Sequence, residues 1–192
     1  MEDNDYMRIL VLNGPNLQLL GKLNPDEEGE VALSAINKSL QFKRKDFESQ
    51  YARVVIELNF RQSNHEGVLI DWVGEAINEQ NNYDGIIINP SSLCGSRALA
   101  QALGAISDQV PYIEVHLSPS AERQSLTAKA SFFGADENER GEGKPVEGQK
   151  QYDATVYEVA FTHLFKELLG RRAAERVETA DQGTPIRLAK SS

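Results

Sequence analysis

The sequence predicts an α/β protein built on a parallel sheet. Two observations predict it. Short apolar, β-branched runs alternate along the chain with longer stretches of helical periodicity. The first and third runs are nearly continuous in hydrophobicity, which is how strands covered on both faces read. Alternation of this kind implies a sheet wound by right-handed crossovers.

Taken in order, the first strand is Arg8-Ile-Leu-Val-Leu-Asn13, followed by a loose helical spacing of Leu33, Ile36, Leu40, Phe47 and Tyr51. The second strand is Arg53-Val-Val-Ile-Glu-Leu-Asn59. After it, Val68, Leu69, Trp72, Val73, Ala76 and Ile77 form a strong i, i+1, i+4, i+5 stripe. Gly85-Ile-Ile-Ile-Asn89 is the third strand, and Ala98, Leu99, Ala102, Leu103 and Ile106 repeat the stripe. Val110-Pro-Tyr-Ile-Glu-Val-His116 is the fourth strand. A last stripe takes in Val156, Val159, Ala160, Leu164 and Leu168, although Thr155 to Phe161 reads equally as strand or helix. Ala135 to Asp153 is a polar, Gly- and Glu-rich excursion, and Arg171 to Ser192 lacks periodicity, as a frayed tail does. The expected organisation is one domain over 1–170, with the excursion at 135–153 and a disordered tail at 171–192.

Bulk properties narrow the function. A formal charge of −9 argues against nucleic acid and anionic membrane surfaces, which need clustered Lys and Arg. No apolar run approaches the roughly 18 residues of a membrane span. The polar, acidic start of the chain does not read as a signal peptide. Cys94 is the lone cysteine, so no internal disulfide forms, and no Cys/His spacing suits zinc. The expected location is cytoplasmic, and neither a metal nor a nucleotide cofactor is expected, because no Walker A or Gly-x-Gly-x-x-Gly pattern is present.

In an open parallel sheet ligands bind beyond the carboxyl ends of the strands. Those ends carry Asn13-Gly-Pro-Asn16, Phe60-Arg-Gln-Ser-Asn-His-Glu-Gly67, Asn89-Pro-Ser-Ser-Leu-Cys-Gly-Ser-Arg97 and Glu114-Val-His-Leu-Ser118. Asn16 and Asn89 would supply fixed amide donors and acceptors. His116, beside Glu114, could act as a general acid or base, and Ser118 could bind a carboxylate. Each residue also has a plain structural reading. Asn16 and Asn89 could satisfy turn backbones, and His116 could be a hydrogen-bonded structural histidine. His65 would order a loop or helix start, His163 would sit on the surface or in edge packing, Cys94 and Trp72 would pack, and Lys43-Arg44-Lys45 would be a solvated helix face.

Four motifs resemble those of the type II 3-dehydroquinate dehydratases, in the same order: Ile9-Leu-Val-Leu-Asn-Gly-Pro-Asn-Leu-Gln-Leu-Leu-Gly21, Arg61-Gln-Ser-Asn-His-Glu-Gly-Val-Leu-Ile-Asp-Trp72, Asp84-Gly-Ile-Ile-Ile-Asn-Pro90 and Ile113-Glu-Val-His-Leu-Ser118. The resemblance spans Arg8 to Arg123. It implies a flavodoxin-like fold with strand order 2-1-3-4-5 and a homo-oligomer built from trimers, often a dodecamer. It also implies cofactor-independent removal of water from a cyclic, carboxylated β-hydroxy ketone. In such enzymes a lid tyrosine tuned by an arginine takes a proton, and a histidine protonates the departing hydroxyl.

By this resemblance Asn16 matches the asparagine near the enolate, Asn89 a substrate-binding asparagine, His116 the general acid and Glu114 its orienting carboxylate. Leu117 and Ser118 match the substrate-carboxylate cradle, and Arg123 an arginine of the following loop. Other positions depart. The lid here is Gly21-Lys-Leu-Asn-Pro-Asp-Glu-Glu-Gly29, so Leu23 stands for the arginine and Glu28 for the tyrosine. Gly95 stands for a substrate-gripping histidine, Ala102 for an aspartate lent by a neighbouring subunit, and Thr127 for a second substrate arginine. Glu28 is the candidate replacement base, while Lys22 or Arg97 could supply a lost cation. A Gly-rich fifth strand is hard to find, since the polar excursion occupies its place. Three readings follow: a divergent dehydratase with an altered substrate, a catalytically silent binding or regulatory subunit, or 3-dehydroquinate dehydration retained by rearranged residues.

Overall fold

The computed structural model describes residues 5–22, 32–117, 131–133 and 155–182, and no side chains within 131–133 or 178–182. Its elements are β1 (Asp5–Asn13), α1 (Leu33–Gln50), β2 (Val54–Gln62), α2 (Glu66–Glu75), β3 (Gly85–Asn89), α3 (Arg97–Ile106), β4 (Tyr112–His116), β5 (Ser131–Phe133) and α4 (Thr155–Gln182). The strands form one sheet in the order β2-β1-β3-β4-β5, with every pairing parallel. This is the flavodoxin-like order, with β1 and β3 at its centre.

Strand alternation sorts the core into two halves. Met7, Ile9 and Val11 of β1, Ile87 of β3, and Ile113 and Val115 of β4 pack under α1 and α4. Leu10 and Leu12, Ile86 and Ile88, and Tyr112 face α2 and α3. Successive side chains of a strand point to opposite faces, and here both faces are buried. The continuous apolar reading of β1 and β3 follows directly. Three layers result, helix–sheet–helix.

The helices bury the stripes expected of them, with adjustments. In α1, Ile36, Leu40 and Phe47 are buried, whereas Tyr51 caps the helix half-exposed. In α2, Leu69 and Val73 are buried, and Trp72 is only partly covered, lying beneath the Arg61 guanidinium at 5.4 Å. The basic run of α1 is not wholly solvated: Arg44 donates to Glu48 and to the Ile56 carbonyl, tying α1 to β2.

One open reading is settled and three expectations change. The segment from Thr155 to Phe161 is helix, and its buried face is Val156, Tyr157, Ala160, Phe161, Leu164, Phe165 and Leu168. Val159 lies on the solvent side, because the aromatic residues claim the inner stripe; Phe165 stacks on Phe47 with centroids 4.3 Å apart. The fifth strand exists ahead of the polar excursion rather than within it, three residues long and too short to show a period. Finally, α4 continues through Gln182, into the stretch expected to be tail. Its later turns are held by charge rather than apolar burial. Arg172 pairs with Asp84 at 2.8 Å, and Arg176 with Asp5 at 2.5 Å.

Candidate active site at the carboxyl ends of the strands

The exits of β1 and β3 are locked together. The Gly14 N–H donates to the Asn89 carbonyl at 2.8 Å, and a Cβ on Gly14 would stand 2.4 Å from the Pro90 oxygen. Only glycine allows that approach. After Pro15, Asn16 takes a left-handed backbone (φ 66°), which asparagine tolerates better than most residues. Its N–H donates to Asn64 Oδ1 at 2.9 Å, and its carbonyl accepts from Leu19 N–H. The Gln62 amide, at the end of β2, donates to that same Asn64 oxygen, to Gln18 Oε1 and to the Gly14 carbonyl. The rim over β1 and β2 is therefore a mesh of carboxamides. Asn16 contributes its backbone to it, and its side chain makes no hydrogen bond among the described residues.

At the end of β3, Asn89 is buried and its Oδ1 accepts from Ser91 N–H at 3.0 Å. Ser91 is itself left-handed, with φ 53°. The Tyr157 hydroxyl of α4 lies close to the Asn89 side chain. That hydroxyl donates to Asn13 Oδ1 at 2.7 Å. Burial pushes the Tyr157 phenol well above its ordinary range, and the Asn89 contact pulls weakly the other way. The phenol thus stays protonated and serves as a donor.

At the end of β4, Glu114 Oε1 lies 2.7 Å from His116 Nε2. The carboxylate is wholly buried, and the imidazole keeps 11% of its side-chain surface accessible. Residues two apart on a strand share a face, so the pair is built into the pleat. The buried carboxylate thus engages Nε2 and orients the imidazole at the carboxyl end of the strand.

The helices that follow the strands frame this rim. Ser96 caps α3 by accepting from Leu99 N–H at 2.9 Å, and its hydroxyl donates to the Glu66 carboxylate in the first turn of α2. His65 occupies the cap position of α2, but its side chain makes no capping hydrogen bond. Arg97 and Lys22 are exposed, and neither makes an ion pair among the described residues.

The expected site residues are thus placed unevenly. Glu114 and His116 come together as expected. They continue the face of Tyr112, toward α2 and α3, whereas Asn13 and Asn89 continue the face of Val11 and Ile87, toward α1 and α4. The two sets lie on opposite faces of the sheet, so they could share a ligand only above its carboxyl edge. Leu117 is buried with the core under α1 and α4. Glu28, Ser118 and Arg123 lie outside the described residues. Asn13, Gln62, Asn64 and Tyr157 were not expected. The amides sit inside the quoted motifs as polar residues ending apolar strands, a readable signal; Tyr157 carried none. Among the described residues no three His, Cys, Asp or Glu side chains gather as a metal site would require.

Residues 7–144 match the model of the class II dehydroquinase family, described as "Dehydroquinase class II". The chain belongs to that family. Its dehydroquinase relatives are carbon–oxygen lyases, and the likeness extends across most of their length. A 3-dehydroquinate dehydratase of Gloeobacter violaceus is 38% identical over 141 residues, covering 68% of this chain and 81% of the relative. One of Bacillus licheniformis is 45% identical over 120 residues, covering 62% and 74%. The crystal structure of the type II dehydroquinase of Butyrivibrio crossotus superposes with a TM-score of 0.60 at 30% identity, covering 83% of this chain and 97% of that one. A 3-dehydroquinate dehydratase-like protein of Bifidobacterium longum shares the fold at 22% identity, with a TM-score of 0.55 over 85% and 98% of the two chains. The dehydroquinase family match ends before α4 begins, so Tyr157 and the charged turns beyond Gly170 fall outside it.

Proposed function

We propose that this chain is a divergent dehydroquinase that eliminates water from a cyclic, carboxylated β-hydroxy ketone other than 3-dehydroquinate. The observation that carries this reading is the Glu114–His116 pair at the end of β4, with the carboxylate buried and the ring partly accessible. In the protonated ring both nitrogens bear hydrogen. The imidazolium, oriented by Glu114, then protonates the departing hydroxyl. A base on the lid removes the proton next to the ketone, that electron pair forms the carbon–carbon double bond through an enolate, and the C–O bond breaks to release water. Glu28 is the candidate base. An ordinary carboxylate, near pKa 4.3, is weak toward such a proton, so an altered substrate with a more acidic α-carbon suits it better.

The substrate departure rests on the sequence. Leu23 and Glu28 stand where the family carries arginine and tyrosine, and Gly95 stands for a histidine. Losing such polar partners weakens binding of the ordinary substrate by about 1–3 kcal/mol each. Leu117 and Ser118 would hold the substrate carboxylate, and Arg123, in the following loop, would bind substrate. The assembly would be a homo-oligomer of trimers in the cytoplasm, and no helix among the described residues is long and apolar enough to cross a membrane.

The test is to incubate the purified chain with 3-dehydroquinate, and with ring-substituted cyclic hydroxy ketones bearing a carboxylate, while following the absorbance of the conjugated enone. Turnover of a substituted ketone that is abolished by His116→Ala supports the proposal. Rapid turnover of 3-dehydroquinate would instead establish the ordinary reaction by rearranged residues. Turnover of nothing in the set would leave the silent binding subunit as the better reading.

A further inference from the structure

Asn16 and Asn64 follow neighbouring strands, β1 and β2, which stay in register to their last residues, Asn13 opposite Gln62. Asn16 is left-handed at φ 66°. That conformation is disfavoured for any residue with a Cβ, so neighbouring bonds must hold it. Two do. The Asn16 carbonyl accepts from Leu19 N–H at 2.9 Å within its own turn, and the Asn16 N–H donates to Asn64 Oδ1 at 2.9 Å from the far side of β2. A carboxamide offers either an oxygen or a nitrogen, and only the oxygen serves here. Gln62 settles the choice. Its Nε2 donates to Asn64 Oδ1 at 3.0 Å, to Gln18 Oε1 at 2.9 Å and to the Gly14 carbonyl at 3.2 Å. All three partners are acceptors, so Gln62 can present only its NH2. Asn64 meets donors from both Gln62 and Asn16, so it can present only its oxygen.

We propose that Asn64 is a positioning residue of the active site, whose side-chain oxygen holds Asn16 in its left-handed turn so that the Asn16 carboxamide is presented to substrate. Gln62 fixes which end of Asn64 is offered. Three observations carry it. The Asn16 side chain is exposed and makes no hydrogen bond among the described residues, so its donors and acceptor are open to a ligand while its backbone is tied on both sides. The tie on its N–H comes from another strand's exit, so it places Asn16 relative to the sheet and not merely within its own turn. Gly14, two residues earlier, is tied to Asn89 of β3, so the segment from Gly14 to Asn16 is fixed from both neighbouring strands. A polar group carried on a backbone held in this way is preorganised for recognition. Asn64 acts through Asn16 and not on substrate. The inference rests on the proposed reading of the carboxyl edge as the active site.

The experiment uses the full chain with Asn64→Leu, which keeps the size and removes both polar ends, Asn64→Asp, which keeps the accepting oxygen, and Asn16→Ala. Hydrogen exchange at the Asn16 amide is read by NMR without ligand. Turnover is followed by enone absorbance, with the ring-substituted carboxylated hydroxy ketone that the parent converts fastest. The expected result in Asn64→Leu is Asn16 exchange about tenfold faster and kcat/KM about tenfold lower, the worth of one hydrogen bond. Asn64→Asp is expected to restore both. Added to Asn16→Ala, Asn64→Leu is expected to lower kcat/KM no further, because the two residues act as one unit. Unchanged Asn16 exchange in Asn64→Leu overturns the proposal whatever the turnover. Faster exchange with unaltered turnover also overturns it, since Asn64 then only stabilises the turn. A full loss in the Asn16→Ala background overturns it as well, since Asn64 then acts by another route. If exchange responds as expected but the parent converts no ketone of the set, the active-site reading fails and Asn64 is structural only.

Discussion

Arg172 of α4 reaches Asp84, the residue before β3, with Nη2 2.8 Å from Oδ1, and lies 3.7 Å from Asp5 at the start of β1. Asp84 is already engaged, since its other oxygen accepts from Arg8 N–H at 2.7 Å. The arginine therefore pins the last long helix to the amino ends of the two central strands. Its side chain is 22% exposed, so the pair is neither fully screened nor fully dry. Arg172→Ala is expected to destabilise the fold by about 1–2 kcal/mol. In urea unfolding the midpoint should fall with an unchanged slope. A midpoint equal to the parent's would show that the charged turns of α4 contribute nothing.

Gly85 opens β3 against Leu164 of α4, where an added Cβ would meet the leucine side chain at 2.9 Å. Gly85→Ala is expected to cost about 1–3 kcal/mol by overpacking. Leu164 is fully buried, and Leu164→Ala is expected to cost about 2–5 kcal/mol through the cavity it leaves. The double variant should be more stable than the sum of the two predicts, because the new methyl group enters the space the leucine vacates. Additive thermal unfolding shifts would contradict this contact.

Two groups predict opposite pH limbs. Glu57 is held below the usual carboxylate range, chiefly by the hydroxyl of Tyr6, then by Asn59 and Arg8. A depressed carboxylate contributes stability above its unfolded value and loses it as pH falls through the folded one. The advantage of the parent over Glu57→Gln should thus shrink below about pH 4. Tyr157 is raised by burial, so the unfolded chain releases its proton first and stability falls as pH climbs above about 10. Alkaline unfolding of Tyr157→Phe should be correspondingly less steep. Parallel pH profiles for parent and variant would remove either argument.

The legible parts of the molecule are those whose signal is local. β1 and β3 read directly because double burial demands continuous apolar residues, and the Glu114–His116 pair reads because two residues at strand spacing share a face. α4 was harder. Its inner stripe is aromatic, so Val159 could be mistaken for core, and its last turns are held by Arg172 and Arg176 through partners at the far end of the sequence. Tyr157 is 144 residues from Asn13, and no pattern along the chain links them. Only the crossover that lays α4 against β3 and β4 brings Tyr157 to Asn13, so a contact of this kind emerges from topology and not from a motif.

The Glu114–His116 pair makes its own catalytic prediction. With the carboxylate buried and 2.7 Å from Nε2, Glu114 holds the ring in place. His116→Ala removes the proton donor, and turnover of the chain's substrate is expected to fall by about 10²- to 10⁴-fold, the range for a positioned acid or base. Glu114→Gln keeps the size and a hydrogen-bonding group but removes the charge, and its amide N–H can turn toward Nε2. That would place the ring's hydrogen on Nδ1 in the neutral form and take away the counter-charge of the imidazolium. A smaller fall in kcat is expected, about 10- to 10³-fold, with little change in KM because the pair does not hold the substrate carboxylate. If Glu114→Gln instead raised KM and left kcat untouched, Glu114 would be holding the pocket's shape and not orienting the acid.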